Sequence, residues 1–349
     1  MCAKRVVVAM SGGVDSSVCA ALLRDEGFDV IGITMQMSGP SNSKAEAAKK
    51  TADKLGIEHR LLNLRDIFQE KVIADFCEEY KGGRTPNPCI KCNKYIKFGA
   101  LLKEARRLGA DYIATGHYAR IEFDEQRKRY LLKKGIDSRK DQSYFLYTLG
   151  QEQLKQALFP LGAFTKDRAR EVAQEKGLAA AESSESQEIC FIPDNRYGEF
   201  LKEYIPERAH KPGSIVNKEG KVIGEHQGII FYTIGQRKGI GIADREPLYV
   251  ASIDRESNAI AVGKKEEVYS DELLADNVNF ISVDRLEAPM KVEVKVRYLH
   301  PPASATVVPQ GKNKVRVKFD RPQWAITPGQ AAVFFNGDVV VGGGTIKKP

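Results

Sequence analysis

The sequence lacks the features of secreted and membrane proteins. It has six cysteines in 349 residues, whereas secreted proteins stapled by disulfides are far denser in cysteine. No apolar run approaches the roughly 18 residues that a membrane helix needs. The apolar stretch near the N-terminus is interrupted by glycine too soon for a secretory signal. We therefore expect a cytoplasmic protein with no membrane partner, in which closely spaced cysteines are catalytic or metal-binding.

The chain also lacks two common nucleotide-binding signatures, the G-x-x-x-x-G-K-S/T loop and a G-x-G-x-x-G turn after its first apolar strand. That strand, Val6–Ala9, is followed instead by Ser11–Ser17 (SGGVDSS), which opens a helix. Its glycines let the backbone approach a ligand, and free N–H groups at a helix start attract phosphate. Asp15 stands where an anion would bind, which fits a carboxylate that holds Mg²⁺ against it. Since a structural helix cap needs only one such residue, we predict a nucleotide-phosphate loop.

The length and the apolar pattern predict the fold class. A chain of 349 residues is expected to form two or three domains. In the first half, short apolar runs alternate with helical patterns, which is typical of a doubly wound, mostly parallel α/β sheet. After about residue 193, short alternating runs separated by glycine and charged residues predict small β domains or barrels. We place the domains at 1–193, 194–267 and 268–349.

The charge of the chain favours a nucleic-acid partner. The formal net charge is +8, a balance that suits phosphate-rich ligands. The segment from Lys81 to Arg107 holds eight basic residues and one acid, and it also contains Cys89 and Cys92. It is either a solvated helix face or, as its position beside two cysteines favours, a phosphate-binding surface next to a reactive centre.

Cys89 and Cys92 form a C-x-x-C pair in a loop imposed by two glycines and two prolines. At a helix start near Lys91 and Lys94, the pKa of Cys92 should be lowered, which favours a nucleophilic thiolate. A structural zinc site needs four ligands, and no second C-x-x-C exists. An iron–sulfur cluster held by Cys89, Cys92 and Cys190 with a non-cysteine fourth ligand stays open as the alternative. We favour the nucleophile and assign no metal ligand.

Three other cysteines stand in apolar surroundings. Cys19 and Cys77 lie on apolar helix faces and are predicted to be buried packing residues. Cys190 stands between Ile189 and Phe191, so that its local context alone predicts a core cysteine as well.

Five motifs follow one another along the chain: Ser11–Ser17, Gly83–Pro88 with Cys92-Asn93, Ala114–Arg120, Lys140–Leu146 and Ser186–Ile192. In this order they closely resemble the tRNA-specific 2-thiouridylase (MnmA) family, and later segments at Thr233–Arg237, Lys295–Tyr298 and Pro328–Ala331 fit as well. The first motif resembles the pyrophosphate loop of the PP-loop ATPases, which implies cleavage of ATP between its α- and β-phosphates. The implied architecture is a PP-loop ATP-binding catalytic domain, a small central tRNA-binding domain and a C-terminal β-barrel.

The resemblance also implies the site residues. ATP would be bound by the loop and by two later residues, namely Ala9, Met10, Ser11, Gly12, Gly13, Val14, Asp15, Ser16, Met35 and Gly116. Cys92 would be the catalytic nucleophile, Cys190 would carry a persulfide, and Asp15 would complete the catalytic set. The target base would contact Asn87, Pro88 and Cys89. Other parts of the tRNA would contact seven residues: His117, Lys140, Asp141, Gln142, Arg297, Tyr298 and Gln330.

The activity implied by the resemblance is ATP-dependent 2-thiolation of the wobble uridine in tRNAs for lysine, glutamate and glutamine, with an adenylated base as intermediate. ATP and Mg²⁺ would be the cofactors, and a cysteine desulfurase or sulfur-relay protein would donate the persulfide. Sulfur would arrive by direct persulfide attack or as released sulfide, with a Cys92–Cys190 disulfide as by-product. A base splayed out of the anticodon loop could be held by aromatic or arginine side chains, for which Tyr144, Phe145, Arg297 and Tyr298 are candidates. For Phe145 we favour core packing.

Two features depart from the family pattern. The segment between Met35 and Ala45 is short and lacks the acidic, cysteine-containing stretch that many members carry. Cys89 occupies a position that is aspartate in some members, which keeps a cluster-ligand role open. Two other functions use part of the same motifs. A PP-loop ligase that delivers nitrogen needs ATP but no cysteine pair, and a non-catalytic iron–sulfur RNA-binding protein releases no pyrophosphate.

Overall fold

A computed structural model describes residues 3–37, 43–178, 189–192, 196–207 and 210–348 of the chain. Part of one sequence motif, Ser186–Glu188, lies outside the described residues, as does Cys2. The described strands form three sheets, one parallel and two built mainly from antiparallel pairs. No helix in these ranges is both long and apolar enough to span a bilayer.

The first sheet is parallel and has the strand order β3-β2-β1-β4-β7. In chain order, its strands and the hairpin β5–β6 are β1 Arg5–Ala9, β2 Asp29–Gln36, β3 Glu58–Asn63, β4 Tyr112–Ala114, β5 Ala119–Asp124, β6 Arg129–Lys134 and β7 Ala157–Leu158. Val7 lies opposite both Ile31 and Ile113 in the register. Because the order reverses at β1, the carboxyl ends of β1 and β4 flank a crevice of the kind where doubly wound sheets bind ligands.

Both faces of this sheet are covered, which explains the continuous apolar run of β1. Val7 packs on one face with Ile33 and Leu101, while Val6 and Val8 pack on the other face within a separate core. Successive strand residues point to opposite faces, so all of them must be apolar when helices cover both sides. The predicted doubly wound parallel sheet is confirmed.

The described helices cluster in the first 204 residues. Their bounds are Val14–Asp25, Ser43–Leu55, Arg65–Phe68, Gln69–Ile73, Ala74–Lys81, Pro88–Lys91, Cys92–Leu101, Leu102–Arg107, Gln151–Gln156, Lys166–Glu175 and Tyr197–Tyr204, with 3₁₀ turns at Ser143–Leu146, Pro160–Ala163, Ile229–Phe231 and Lys265–Val268. Two long rods, from Arg65 to Lys81 and from Pro88 to Arg107, are π-helical in their middle parts, Gln69–Ile73 and Cys92–Leu101. Such turns are frequent at functional sites.

The central domain is a small sheet of order β10-β11-β8-β9, formed by β8 Gly213–Val216, β9 Val222–His226, β10 Tyr249–Asp254 and β11 Ala259–Gly263. Its apolar side shares one core with the helical segment Arg65–Lys81, and this core includes Phe76, Ile230 and Ile260. The predicted β-rich central domain is therefore confirmed, and it packs on the helix that precedes the C-x-x-C loop.

The C-terminal β-barrel is closed by six antiparallel strands, β12 Tyr269–Phe280, β13 Met290–Lys295, β14 Ala303–Pro309, β15 Val315–Trp324, β16 Ala331–Asn336 and β17 Val339–Lys348. Closure comes from β12, which pairs with β17 as well as with β15. The sequence pattern did not predict that the hairpin β5–β6 adds to this barrel through Lys133 and Val339. Tyr144, Val333 and Phe335 belong to one core that joins the barrel to the parallel sheet.

Candidate active site

The phosphate loop lies at the crevice formed by β1 and β4. Gly12 has φ +79° and comes so close to the start of the next helix that a Cβ would lie 2.6 Å from the Lys44 carbonyl oxygen. Gly13 is the N-cap residue of the Val14–Asp25 helix, and no side chain caps this helix. Ser16 Oγ instead accepts from the Ser11 N–H at 3.1 Å and donates to the Gly13 carbonyl at 3.0 Å. The structural helix cap is thus excluded, and the helix start has the form of an anion site.

Asp15 is held by residues that sequence reasoning missed. Lys166 Nζ donates to both Asp15 carboxylate oxygens at 2.7 and 2.9 Å, and the Tyr118 hydroxyl donates to Oδ1 at 2.7 Å. Lys166 is only 5% exposed. One local signal could have identified it, since it stands in the first turn of a helix, where the helix dipole disfavours a cation. Its charge is paired with a buried ammonium in the structure, and the direct Mg²⁺ contact of Asp15 stays a prediction.

The two later residues predicted for ATP lie at the same crevice. Gly116 follows β4 and packs on the first turn of the Val14–Asp25 helix, where a Cβ would lie 2.8 Å from the Asp15 carbonyl carbon. Met35 is half-buried near the end of β2. Ala9 and Met10 are buried at the end of β1. The fold therefore gathers the predicted ATP residues at the carboxyl ends of three neighbouring strands.

Cys92 is not at a helix start, contrary to the sequence prediction. The helix begins at Pro88, so Cys89 lies in its first turn. Cys92 is 8% exposed, and burial raises the pKa of its thiol to about 12. Lys91 is paired with Asp75 at 2.6 Å. The predicted lowering of the Cys92 pKa is wrong for this structure because burial outweighs the nearby positive charge.

Cys190 is exposed, so the prediction of a core cysteine from its local context is wrong. Its neighbour Phe191 packs edge-to-face on Phe68 and Phe76, with ring centroids 5.5 and 5.6 Å apart. These contacts anchor the segment and leave the thiol outside the core. Cys19 and Cys77 are buried, as predicted.

Cys190 lies near the cysteine pair, since its neighbours Ile189 and Phe191 pack against the core that contains Cys92. The Cys190 thiolate contributes to raising the pKa of both Cys89 and Cys92. Lys97 and Lys44 both act to lower the pKa of Cys190, against the effect of desolvation. Lys44 is also the residue whose carbonyl touches the phosphate loop. Cys190 thus lies in the electrostatic reach of both halves of the site.

Lys97 is the second residue that sequence reasoning missed. Its Nζ lies 3.2 Å from His117 Nε2, and His117 Nδ1 lies 2.6 Å from Thr115 Oγ1. Burial and the Lys97 charge hold the pKa of His117 well below its usual range. Because an ammonium can only donate, Nε2 of the neutral ring accepts from Lys97 and Nδ1–H donates to Thr115. Lys97 acts to lower the pKa of all three site cysteines.

The residues predicted to contact the target base lie on the loop and first turn before Cys92. Asn87 is half-buried, and its side chain makes no capping hydrogen bond to the helix that it precedes. Pro88 is buried and Cys89 is exposed. The Asn87 amide and the Cys89 thiol are therefore available to a ligand.

Several of the residues predicted to contact tRNA have structural partners within the protein. His117 is 7% exposed. Asp141 is buried and accepts hydrogen bonds from its own loop, including the Ser143 N–H at 3.1 Å and hydroxyl at 2.9 Å. Gln142 Oε1 accepts from the Tyr118 N–H at 3.1 Å, and Lys140 is half-buried. The loop that contains Asp141 and Gln142 is thus fixed by its polar side chains before any RNA is present.

The barrel contributes the other predicted tRNA residues. Arg297 lies over the Trp324 ring at 5.2 Å, and Tyr298 packs on Phe145 with ring centroids 4.4 Å apart. Asn93, next to Cys92, donates to the Phe145 carbonyl at 3.1 Å. A chain of contacts therefore connects the barrel surface to the cysteine helix.

Tyr144 differs from the other candidates for holding a splayed base. It is fully buried, and its hydroxyl donates to the Ala331 carbonyl at 3.0 Å. Since this ring is part of the core, it cannot stack on a ligand. Phe145, Arg297 and Tyr298 are half-buried and remain accessible.

The basic segment is less positive than its composition suggests. Four of its eight basic residues form salt bridges with carboxylates, through the pairs Lys81–Glu78, Arg84–Glu79, Lys91–Asp75 and Arg107–Glu104. Half of the expected phosphate-binding charge is therefore neutralised in place, mostly by acids of the preceding helix.

The arrangement of the cysteines also bears on the iron–sulfur alternative. Across the described ranges, no group of three or more His, Cys, Asp or Glu side chains has an arrangement that could hold a metal ion. Cys89, Cys92 and Cys190 are all free thiols. Residues 186–188, next to Cys190, lie outside these ranges, so the iron–sulfur alternative stays a prediction.

Comparison with known proteins gives a consistent picture along the chain. Residues 4–194 match the family described as tRNA methyl transferase HUP domain, residues 198–264 its PRC-barrel domain, and residues 270–346 the aminomethyltransferase beta-barrel domain. The chain is 54% identical over 357 residues to tRNA-specific 2-thiouridylase MnmA 1 of Caldanaerobacter subterraneus subsp. tengcongensis, which covers 99% of this chain and 98% of that protein.

Two further relatives carry the same name. The tRNA-specific 2-thiouridylase MnmA of Acetivibrio thermocellus is 51% identical over 360 residues, covering 99% of this chain and 100% of its own. That of Clostridium acetobutylicum is 51% identical over 356 residues, covering 99% of each chain. Identity above one half along the full length confirms the resemblance drawn from the motifs, and the chain belongs to the tRNA-specific 2-thiouridylase (MnmA) family.

Proposed function

We propose that this protein thiolates the C2 position of the wobble uridine in tRNAs for lysine, glutamate and glutamine, at the expense of ATP. The observation that carries the proposal is the convergence of three elements, which are an uncapped glycine-serine loop, the Cys92 helix and the Cys190 segment. In this proposal residues 1–193 bind ATP and perform the chemistry, while 194–267 and 268–349 engage the tRNA.

The first step activates the base. Uracil O2 attacks the α-phosphorus of ATP, which transfers AMP to the base and releases pyrophosphate. The free N–H groups at the start of the Val14–Asp25 helix are suited to the phosphates. Lys166 fixes Asp15 at the edge of this loop. Because Mg²⁺ is commonly bound through substrate phosphates and water, we propose that it enters with the nucleotide.

The second step delivers sulfur. The terminal sulfur of a Cys190 persulfide bonds to C2, and AMP leaves with the C2–O2 bonding pair. The Cys92 thiolate attacks the inner sulfur of Cys190, so that the S–S bond breaks and its electrons remain on the sulfur bound to C2. The products are 2-thiouridine, AMP and a Cys92–Cys190 disulfide, which an external thiol reductant must reduce. Lys97 stabilises the thiolates in this sequence by its charge.

The persulfide has to be supplied by another protein. Cys190 is exposed on a segment anchored by Phe191, which suits access by a cysteine desulfurase or a sulfur-relay protein. Cys92 is buried, which suits a thiol that reacts only with Cys190. These two roles are proposed from the exposure of each thiol, whichever protein donates the persulfide.

The test is mass analysis of tRNA nucleosides after incubation with ATP, Mg²⁺ and a persulfide source. We expect 2-thiouridine and equimolar AMP with the wild-type chain. Cys92→Ser and Cys190→Ser should form no 2-thiouridine. Cys77→Ala removes a buried thiol outside the site and serves as the matched control, which should retain thiolation. Thiolation by Cys92→Ser at the wild-type rate would refute the proposal.

A further inference from the structure

The loop that precedes Cys92 obtains part of its hydrogen bonding from other domains. Pro86 and Pro88 have no N–H group, so they contribute no donor to a local turn. Three backbone groups of the loop are paired with the barrel. The Thr85 N–H donates to the Pro328 carbonyl at 2.9 Å, and Gln330 Nε2 donates to the carbonyls of Thr85 at 2.9 Å and Pro86 at 3.3 Å.

Gly329, which lies between Pro328 and Gln330, allows the barrel backbone to come close to Thr85. It has φ +90°, and a Cβ there would lie 3.0 Å from the N, C and O atoms of Thr85. The turn is itself part of the barrel, because Gly329 N–H donates to the Ile346 carbonyl and Ile346 N–H donates to the Gln330 carbonyl, at 2.9 and 2.8 Å. Thr85 therefore rests on a rigid element.

The central domain holds the other side of the loop. The Thr85 hydroxyl donates to Thr233 Oγ1 at 3.1 Å. Gly83 has φ +67°, and a Cβ there would lie 2.7 Å from Ile253 Cγ2. Both β-rich domains thus grip the segment that leads into the residues beside the reactive thiols.

We propose that Gln330 is a positioning residue, whose side-chain amide, together with Gly329, fixes Thr85 and Pro86 and thereby sets the placement of Asn87, Cys89 and Cys92. The catalytic consequence rests on the proposed function. Gln330 would then act within the free enzyme, in addition to any contact that it makes with tRNA. It links the tRNA-engaging barrel to the reactive loop, so that a shift of the barrel moves the base-binding residues.

The direction of the hydrogen bonds makes the proposal specific. Both partners of the Gln330 amide are carbonyl oxygens, so the side chain must donate. Glutamate has the same shape, but its carboxylate only accepts and would face two carbonyl oxygens. Gln330→Glu should therefore free the loop at least as much as Gln330→Ala, although it preserves the size of the side chain.

The experiment compares Gln330→Ala, Gln330→Glu and Gly329→Ala with Gln310→Ala, an exposed glutamine on the same barrel. Backbone hydrogen exchange of the peptide covering residues 83–90 is measured in the enzyme without tRNA, and kcat and KM are measured for tRNA thiolation. Trp324 fluorescence reports whether the barrel stays folded. We expect exchange at Thr85 to rise about tenfold or more in the three Gln330 and Gly329 variants and to remain unchanged in the control.

The kinetic expectation follows from misplacement of the reacting groups. A displacement of about 1 Å can cost on the order of a hundredfold in rate, so kcat should fall about tenfold to a hundredfold while the KM for tRNA changes less than about twofold. Unchanged exchange, or a rise of KM with kcat unchanged, would overturn the proposal and leave Gln330 as a tRNA contact alone. If wild-type protein makes no 2-thiouridine, the proposed function fails. The exchange result then still shows whether Gln330 and Gly329 hold Thr85 and Pro86 in place.

Discussion

The pair formed by Asp15 and Lys166 should respond asymmetrically to substitution. The two residues share two hydrogen bonds, but the side chain of Lys166 is 6% exposed and that of Asp15 is 35% exposed. Replacing Asp15 by alanine leaves a buried ammonium without its charge partner, which typically destabilises a protein by about 3–5 kcal/mol. Replacing Lys166 by methionine leaves a carboxylate that still accepts from the Tyr118 hydroxyl and that water can reach.

The loss of stability expected for Lys166→Met follows from the same ion pair. Methionine keeps most of the apolar stem that Lys166 buries, so the loss is mainly that of a charged hydrogen bond, about 1.5–3 kcal/mol. The double variant has neither charge, so it should be more stable than Asp15→Ala alone by about 1–2 kcal/mol. Lys176→Met is the control, since Lys176 pairs with Asp25 at the surface, and it should change stability by less than about 0.5 kcal/mol.

The measurement is chemical denaturation of the nucleotide-free protein, followed by the helical circular dichroism signal, because the described helices cluster in the part of the chain that contains this pair. A thermodynamic cycle of the wild type, both single variants and the double variant gives the coupling free energy. If Asp15→Ala is no more destabilised than Lys166→Met, or if the two effects simply add, the argument from unequal burial is refuted.

Three further predictions concern the loop and the thiols. Gly12→Ala places a Cβ 2.6 Å from the Lys44 carbonyl oxygen at φ +79° and should lower the free energy of unfolding by about 1–3 kcal/mol. At Gly13 the nearest atom to a Cβ is Ser11 Oγ at 3.8 Å, so Gly13→Ala should change the free energy of unfolding by less than about 1 kcal/mol in the same denaturation assay. Burial raises the pKa of Cys92 to about 12, and only the thiolate reacts with an alkylating agent. The alkylation rate of Cys92 in tRNA-free enzyme should therefore rise about tenfold per pH unit above neutral pH. A rate that stops rising near neutral pH would contradict the claim that burial raises this pKa. Lys97→Met should raise that pKa further and slow Cys92 alkylation about fivefold, measured by peptide mass analysis, while Lys94→Met at an exposed position should not.

Much of the fold is encoded in local patterns. The near-continuous apolar run Val6–Ala9 predicts a strand buried on both faces, and the structure places it in the middle of a covered parallel sheet. The glycine-serine loop is also a local device, since the φ of Gly12 and the free helix start depend on residues next to it in sequence. The alternating runs after residue 193 predict β structure for the same reason, because strand periodicity is a property of neighbours.

The chemistry of the site depends on contacts that no local pattern contains. Lys166 meets Asp15 across 151 residues, and Gln330 meets Thr85 across 245. The prediction of a lowered Cys92 pKa was wrong because the sequence displays the charges near a thiol but not the degree to which the fold desolvates it. Cys190 was misjudged for the opposite reason, since its apolar neighbours turn inward and leave the thiol exposed.

The sequence by itself therefore determined most of the secondary structure, the phosphate loop and the residue types available for chemistry, because these follow from the backbone conformation and polarity of adjacent residues. The tertiary structure alone decided which charges are paired, which thiols are buried and which domain holds the reactive loop. The physical reason is that solvation and hydrogen-bond pairing are set by whatever packs against a group, and in this protein those partners come from distant parts of the chain.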